Sequence, residues 1–269
     1  MVAESLSEPS APRNPIVLIP ARLASVRLPD KPLADIHGEP MIVHVWRRAM
    51  EAEVGPVAVA CAEPAIVEAV EAAGGRAVLT RPDHPSGSDR IFEALQDIDP
   101  EGRHDAVVNL QGDLPTVEPA LVQAVLRPLA DPAVDIGSLV VEIRDPEERR
   151  NPNVVKAAVS FAEGAELARA LYFSRAPVPY DPWDFDPKEG AVAQPLYHHI
   201  GIYSYRRRTL AQFVALPPSP LEQRERLEQL RALEAGLRLD VARVDTLPLG
   251  VDTPADLARA RALLAPTGG

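Results

Sequence analysis

Residues 16–32 read I-V-L-I-P-A-R-L-A-S-V-R-L-P-D-K-P, and this stretch decides the fold class of the chain. Its opening apolar run ends in a proline and predicts a buried central strand. The loop that follows carries the cations Arg22, Arg27 and Lys31. Because ligands of open α/β sheets bind beyond the carboxyl ends of the strands, we expect this loop to hold an anion, with a nucleoside triphosphate as the natural candidate. A solvated basic loop would give the same pattern.

Strand and helix patterns alternate through the first half of the chain. The predicted strands are 16–20, 57–61, 76–80 and 106–110, and the predicted helices are 40–53, 63–73 and 88–97. This alternation implies a parallel sheet with right-handed crossovers and helices on both faces. No G-x-G-x-x-G follows the first strand and no G-x-x-x-x-G-K-[ST] occurs in the sequence, so neither a dinucleotide-binding fingerprint nor a P-loop is expected.

Composition and charge exclude several classes of protein. The chain has 269 residues, 46% of them hydrophobic, as expected of a globular protein. The net charge of -11 argues against general nucleic-acid binding, which needs a basic face. The single cysteine, Cys61, excludes an intramolecular disulfide framework and a multi-cysteine zinc site. Since the sequence also lacks a long apolar run and a signal-peptide core, we expect a cytoplasmic protein that does not bind membranes.

Two aspartates are candidates for the same anion site. Asp113 follows a predicted buried strand in V-V-N-L-Q-G-D-L-P, and Asp252 lies far downstream in L-P-L-G-V-D-T-P-A-D-L. Asp113 also fits an ordinary turn, and Asp252 also fits a helix start, where a carboxylate interacts favourably with the helix dipole. If both face the cationic loop, their hard oxygen ligands predict Mg²⁺ bridging to substrate phosphates.

The second half of the chain is less regular. Residues 153–159 and 197–205 have the patterns of strands, and a long helix is predicted over 219–235. The segment 171–187 is rich in proline, aromatic and acidic residues and predicts an exposed arm or lid. Aromatic side chains concentrated there favour burial against a partner subunit, with simple loop packing as the alternative. A homodimer is therefore expected.

An ordered series of motifs identifies a family. These are I-P-A-R-L-A-S-V-R-L-P-D-K-P, T-R-P-D-H-P-S-G-S-D-R, N-L-Q-G-D-L-P, N-P-N-V-V-K, L-Y-F-S-R-A-P-V-P, H-H-I-G-I-Y-S-Y, P-S-P-L-E-Q-R-E-R-L-E-Q-L-R and G-V-D-T-P-A-D-L. The series resembles the 3-deoxy-manno-octulosonate (KDO) cytidylyltransferases, or CMP-KDO synthetases, from residue 15 to residue 264. Any one motif is weak, whereas the ordered series is very specific.

This resemblance implies a fold and an activity. The implied fold is a Rossmann-like α/β nucleotidyltransferase with a mostly parallel central sheet, helices on both faces and a smaller inserted region for sugar binding and dimerisation. The implied reaction couples CTP and KDO with Mg²⁺ to give CMP-KDO and pyrophosphate for lipopolysaccharide biosynthesis. Such enzymes are usually homodimers.

The resemblance also implies roles for individual residues. Catalytic roles fall on Arg22, Lys31, Asp113 and Asp252, of which Asp113 and Asp252 are the metal ligands. The implied nucleotide-binding residues are Ala21, Arg22, Arg27, Lys31, Arg81, Ser86, Gly87, Ser88 and Gln111. The implied sugar-binding residues are Gln111, Arg175, His199, Tyr203, Glu228 and Gln229.

The predicted organisation has one main domain with extensions. Residues 1–14 form a disordered extension and 15–145 the nucleotide-binding region. Residues 146–218 form the sugar-binding and dimerisation region, and 219–264 return to the first domain with helices and the metal-binding loop. Residues 265–269 are a tail.

The chain departs from the family pattern at two positions, one relevant to the surroundings of the metal and one to substrate choice. Leu114 stands where relatives often have a glutamate after Q-G-D, and His198 stands where they often have an arginine. The second change leaves one permanent cation fewer near the sugar carboxylate. Alternative functions are therefore a cytidylyltransferase for 8-amino-KDO or sialic acid, or a non-catalytic nucleotide-sensing protein on the same fold.

Overall fold

The computed structural model describes residues 11–180 and 195–265. A nine-stranded sheet forms the centre of the protein, in the order β5-β4-β1-β6-β10-β7-β11-β9-β8. Its strands are β1 Pro15–Ala21, β4 Val57–Cys61, β5 Arg76–Leu79, β6 Ala106–Asn109, β7 Ile136–Glu142, β8 Lys156–Val159, β9 Leu167–Ser174, β10 Tyr197–Arg206 and β11 Leu239–Val244. The short strands β2 Asp35–Ile36 and β3 Glu39–Pro40 pair separately as a hairpin.

The sheet is parallel in its first half and mixed in its second. The strands β4, β1 and β6 run parallel to one another, and β5 continues that half at its edge. The strand β10 enters antiparallel between β6 and β7. The hairpin β8–β9 pairs at one side with β11 and at the other with the start of β10, so β7, β11, β9, β8 and β10 form a closed ring of strands. The region predicted over 146–218 therefore shares its sheet with the nucleotide-binding region.

Helices cover both faces of this sheet. They are α1 Met41–Glu51, α2 Pro64–Ala72, α3 Gly87–Ile98, α4 Pro119–Ala124, α5 Pro146–Arg150, α6 Arg207–Ala215, α7 Pro220–Glu225, α8 Gln229–Glu234 and α9 Pro254–Leu263, with 3-10 turns at Lys31–Leu33 and Arg127–Ala130. Along β1, Val17 and Ile19 pack toward α1, α2 and α4, whereas Ile16 and Leu18 pack toward α3, α6 and α8. Burial on both faces explains the unbroken apolar run of β1 and confirms the predicted α/β class.

The segment predicted as an arm over 171–187 begins inside the sheet. Leu171–Ser174 belong to β9, so the prediction of an arm is wrong for these residues, and Phe173 and Ser174 are also buried rather than exposed. These residues form a strand because they pair with β8, and a proline-rich composition does not reveal such pairing. Residues 181–187 lie outside the described part of the chain.

The predicted single helix over 219–235 is two helices. Arg226 has a φ of 56°, in the left-handed region, and ends α7 there. The chain turns before α8 begins at Gln229, so the buried Leu227 and Leu230 both reach the core. The break also places Glu228 at the start of α8 rather than in mid-helix.

The last residues of the predicted disordered extension are held by hydrogen bonds. The backbone N–H groups of Arg13 and Asn14 donate hydrogen bonds to the Asp105 carboxylate at 2.7 and 3.0 Å, so the boundary at residue 14 is too late. Residues 1–10 lie outside the described part of the chain. Among the helices that the structure describes, none is both long enough and apolar enough to cross a bilayer.

Candidate active site

One lysine joins the two candidate aspartates. Lys31 Nζ lies 2.8 Å from Asp113 Oδ2 and 3.0 Å from Asp252 Oδ1. Arg27 contacts the other oxygen of Asp252 at 3.1 Å. We call Arg27, Lys31, Asp113 and Asp252 the Lys31 cluster. The structure thus brings together residues far apart in sequence, at the carboxyl end of β1, where the fold predicts a ligand site.

Local packing explains why these segments meet. Leu28 from the cationic loop packs with Val251 and with Leu257 of α9 in a small core cluster. The Val251 N–H also donates to the Asp113 carbonyl oxygen at 2.9 Å, which fixes the Asp252 segment beside the Q-G-D turn. A side chain at Gly112 would place its Cβ 2.7 Å from the Pro20 carbonyl oxygen, so only glycine lets this turn approach β1 so closely.

The structure distinguishes between the alternative roles of the two aspartates. The cap of α9 is Thr253, whose hydroxyl and N–H form a capping box with Asp256, so Asp252 is not the cap residue. The carboxylates of Asp113 and Asp252 both point at Lys31 instead of closing their own turns. Burial opposes the charge on Lys31, but the two carboxylates outweigh it and raise the lysine pKa.

A cavity of about 310 Å³ lies beside the Lys31 cluster. It is lined by these predicted residues: Ala21, Arg22, Lys31, Ser86, Gly87, Gln111 and Asp113. Of the other predicted nucleotide-binding residues, Arg27 contacts the cluster through Asp252. Arg81 and Ser88 do not line the cavity and instead contact Glu93 and Glu228, respectively. Within the residues that the structure describes, the exposed Arg22 has no ion-pair partner, which leaves its charge available to an anion.

Among the lining residues that were not predicted as site residues, two carry basic side chains, His84 and Arg90. His84 contacts Glu93. Arg90 is buried, and one of its guanidinium nitrogens donates hydrogen bonds to the Thr80 hydroxyl and to the Arg81 carbonyl oxygen. Burial lowers the pKa of Arg90. Both residues belong to the motif T-R-P-D-H-P-S-G-S-D-R. From the sequence, a charged residue on an amphipathic helix is expected to face solvent, so the burial of Arg90 is evident only from the fold.

A second group of predicted residues is buried or half-buried on the α3 and α8 side of the sheet. The Ser88 hydroxyl donates to Glu228 Oε2 at 3.0 Å, and the His199 ring lies 5.5 Å from that of Tyr203. We call Ser88, His199, Tyr203, Glu228 and Gln229 the Glu228 cluster. His199 and Tyr203 share one face of β10 because side chains of a strand alternate.

Several polar atoms of the Glu228 cluster lack partners. Glu228 Oε1 and Gln229 Nε2 are buried and make no hydrogen bond to any residue that the structure describes. Such atoms are rare in folded proteins and need an explanation, such as an absent ligand. Burial raises the pKa of Glu228 and lowers that of His199 to about 3, so His199 is neutral at physiological pH.

Arg175 lies apart from both cavities. Its Nε donates to the Glu225 carbonyl oxygen at 2.8 Å, and another guanidinium nitrogen donates to the Pro152 carbonyl oxygen at 3.0 Å. Its own N–H donates to the Glu225 carboxylate at 3.0 Å. The structure therefore places this predicted sugar-binding residue against the backbone that leads into Glu228.

The two departures from the family pattern both line a larger cavity of about 910 Å³, which shares Gln111 and Asp113 with the first. Leu114 packs into the apolar core. Burial, reinforced by the charge of Lys156, lowers the pKa of His198 to about 4, so His198 carries no charge at neutral pH. His198 thus does not replace the missing cation.

Comparisons with known proteins all give the same family. The cytidylyltransferase family model matches residues 16–239. The chain is 65% identical to the 3-deoxy-manno-octulosonate cytidylyltransferase of Rhodospirillum centenum, over 97% of each chain. It is 62% identical to the enzyme of the same name from Paramagnetospirillum magneticum, over 93% of this chain and 98% of that one. A solved structure of CMP:2-keto-3-deoxy-manno-octonic acid synthetase complexed with CTP is 41% identical, with a TM-score of 0.83 over 94% of this chain and 99% of that chain.

Proposed function

The chain belongs to the 3-deoxy-manno-octulosonate cytidylyltransferases within the cytidylyltransferase family, and from this premise we propose how its residues perform the reaction. The enzyme transfers the cytidylyl group of CTP to KDO and releases pyrophosphate, the activation step for lipopolysaccharide synthesis. The single observation that carries our mechanism is the Lys31 cluster, in which two carboxylates share one cation.

The Lys31 cluster fits a magnesium ion. Asp113 and Asp252 supply hard oxygen atoms, and the described residues contain no group of three or more acidic, histidine or cysteine side chains that could hold a metal alone. Mg²⁺ is typically bound by one or two carboxylates, with waters and substrate phosphates as its other ligands. When bound, it would neutralise the triphosphate and polarise the α-phosphate.

The cations of the loop bind and orient the triphosphate. Arg22 and Lys31 line the cavity of about 310 Å³, and Lys31 keeps its charge because its pKa is raised. Their charges stabilise the negative charge that develops on the phosphate oxygens as the bond to pyrophosphate breaks.

The Glu228 cluster holds the sugar acid so that its anomeric hydroxyl oxygen attacks the α-phosphorus in line. Buried and unpartnered atoms of Glu228 and Gln229 supply an acceptor and a donor for sugar hydroxyls. Catalysis then rests on positioning and electrostatics and needs no nucleophilic side chain.

The metal assignment is tested with Asp113→Asn and Asp252→Asn, assayed by pyrophosphate release at saturating Mg²⁺. Each change keeps the side-chain size but removes a charged ligand, so we expect kcat/KM to fall by about 10²-fold or more. Glu39→Gln, which breaks a surface pair with Arg47 on α1, is the matched control and should retain its activity. Near-normal rates in both aspartate variants would reject the mechanism.

We further propose that the enzyme is a homodimer that acts in the cytoplasm, where its nucleotide substrate is made. Leu171 of β9 is 68% exposed and Leu167 is 38% exposed, which favours a covered face in an assembly. Sedimentation of the wild type and of Leu171→Asp should give a dimer and a weakened dimer, respectively. A monomeric wild type would disprove the assembly.

A further inference from the structure

A carboxylate behind the nucleotide cavity holds the wall of that cavity in place. Glu93 lies in the middle of α3, and its Oε1 accepts a hydrogen bond from the Arg81 backbone N–H at 2.9 Å. Its Oε2 contacts Arg81 Nε at 3.2 Å and His84 Nε2 at 2.5 Å. One side chain thus fixes the backbone and both basic side chains of the loop between β5 and α3.

His84 connects this carboxylate to the substrate space. Its side chain is only 5% exposed, and it lines the cavity of about 310 Å³ together with Ser86 and Gly87. Beyond the bond to Glu93, the described residues offer His84 no other hydrogen bond. The ring is therefore held at one nitrogen and leaves the other for a ligand or solvent.

The other hydrogen bonds of this loop lie at its two ends, where Thr80 bonds to the Cys61 carbonyl oxygen and Ser86 caps α3 through Asp89. Between the end of β5 at Leu79 and the start of α3 at Gly87 it forms no helix or strand, and Asp83 is exposed. Arg90 fixes the near end through Thr80 and the Arg81 carbonyl oxygen, at 2.6 and 3.1 Å. The outer part, which includes His84, depends on Glu93.

We propose that Glu93 is a positioning residue for CTP, which acts by holding Arg81 and His84 so that His84 forms the cavity wall in the shape that accepts the nucleotide. This inference rests on the function proposed above and extends it to residues that contact neither the metal-binding carboxylates nor the Glu228 cluster. Burial raises the pKa of Glu93, but the hydrogen bonds from Arg81 and His84 outweigh it and lower the pKa, so the side chain stays ionised at neutral pH. Charge-assisted hydrogen bonds of this kind are stronger and more directional than neutral ones.

Asp99, at the other end of α3, provides a matched control. Its carboxylate also holds a loop, because it accepts from the Arg103 and His104 N–H groups at 2.9 and 2.8 Å and from Arg207 at 2.6 Å. Asp99 is buried and does not line the nucleotide cavity. Asp99→Asn should therefore lower the thermal midpoint without changing the affinity for CTP.

The test compares Glu93→Gln, His84→Asn, the double variant and Asp99→Asn with the wild type. We measure kcat and both KM values by pyrophosphate release, CTP affinity by calorimetry without the sugar acid, and thermal midpoints. Glu93→Gln should raise the KM and Kd for CTP about tenfold, with kcat and the KM for the sugar acid changed by less than about twofold. The loss in the double variant should be smaller than the sum of the two single losses, because part of the effect of the carboxylate passes through the ring.

Other results would overturn the proposal. Unchanged CTP affinity in Glu93→Gln and His84→Asn would do so, as would a loss shared equally by both substrates and paralleled by Asp99→Asn. Full additivity in the double variant would show that Glu93 does not act through His84. If the wild type released no pyrophosphate with any sugar acid, the proposed function would fail, while calorimetry would still decide the role of Glu93.

Discussion

The Lys31 cluster and the Glu228 cluster hold their polar groups in opposite ways. In the first, ionised side chains pair with one another while partly exposed: the side chains of Lys31, Asp113 and Asp252 are 17%, 31% and 49% accessible. In the second, Ser88, His199 and Gln229 are buried, and Glu228 and Gln229 each leave a buried atom unpartnered. The first arrangement suits a charged ligand that exchanges ion pairs, and the second suits hydroxyl groups that complete hydrogen bonds.

This difference has an energetic basis. Exposed ion pairs contribute little to stability, so a triphosphate or metal can break those of Lys31 at small cost. A buried acceptor without a partner costs roughly 1–3 kcal/mol, and a ligand that satisfies it regains that free energy on binding. The Lys31 cluster therefore favours rapid exchange of charged groups, whereas the Glu228 cluster favours selection among neutral groups.

Lys31→Met should have the largest effect, because it turns the Lys31 cluster into two carboxylates without their shared cation. Repulsion between Asp113 and Asp252 and the lost phosphate contact should lower kcat/KM by about 10²–10³-fold. Pyrophosphate release measured over a range of Mg²⁺ concentrations checks this, with Lys31→Arg as the variant that keeps the charge. If Lys31→Met and Lys31→Arg were equally active, the shared cation would have no role.

Glu228→Gln should have a smaller and more selective effect. Glutamine keeps the size and one acceptor but changes the hydrogen-bonding pattern that faces the sugar, so the KM for KDO should rise about tenfold with the KM for CTP unchanged. Because burial raises the pKa of Glu228, ionisation destabilises the folded state once the pH rises above about 4.3, the ordinary value.

Thermal melts of the same variant give a second measure of the buried charge. Glu228→Gln should be more stable than the wild type at neutral pH, and this gain should vanish at acidic pH, where the wild-type carboxyl is protonated in both states. An equal rise of both KM values, or a stability difference that does not depend on pH, would contradict this account of the cluster.

The sequence predicted the Lys31 cluster more completely than the Glu228 cluster, for a physical reason. The apolar run of β1 and the Gly112 turn are local patterns, and the rule that ligands bind at the carboxyl ends of strands brings their loops together. Only the meeting with Asp252 needed more than local pattern, since it depends on packing between Leu28 and Val251.

The Glu228 cluster depends on features that the sequence does not display. Its turn exists because Arg226 adopts a left-handed conformation in a stretch with unbroken helical periodicity. The strands β7, β9 and β11, which build the ring beside it, were not predicted, because strand pairing between distant segments overrides local propensity. The resemblance to the family implied which residues belong to this cluster, whereas their burial is evident only from the structure.

The smallest expected effect on activity comes from His198, which lines the larger cavity with Asp113 and His199. Burial lowers its pKa to about 4, whereas an unfolded chain takes up the proton at about pH 6.5. The unfolded state therefore binds more protons than the folded state between these values, and stability falls as the pH drops through that window. The share of His198 should be no more than about 3 kcal/mol, lost progressively between about pH 6.5 and pH 4.

His198→Gln removes this titration and keeps a neutral polar side chain beside the cavity. Urea unfolding of both proteins from pH 7 to pH 4 should show the wild type losing stability more steeply, while at pH 7 the KM for KDO should differ by less than about threefold. Parallel stability curves would mean that His198 has the same pKa in both states, so that the folded protein would also take up this proton near pH 6.5. The absence of a positive charge at this position at neutral pH therefore depends on His198 remaining unprotonated.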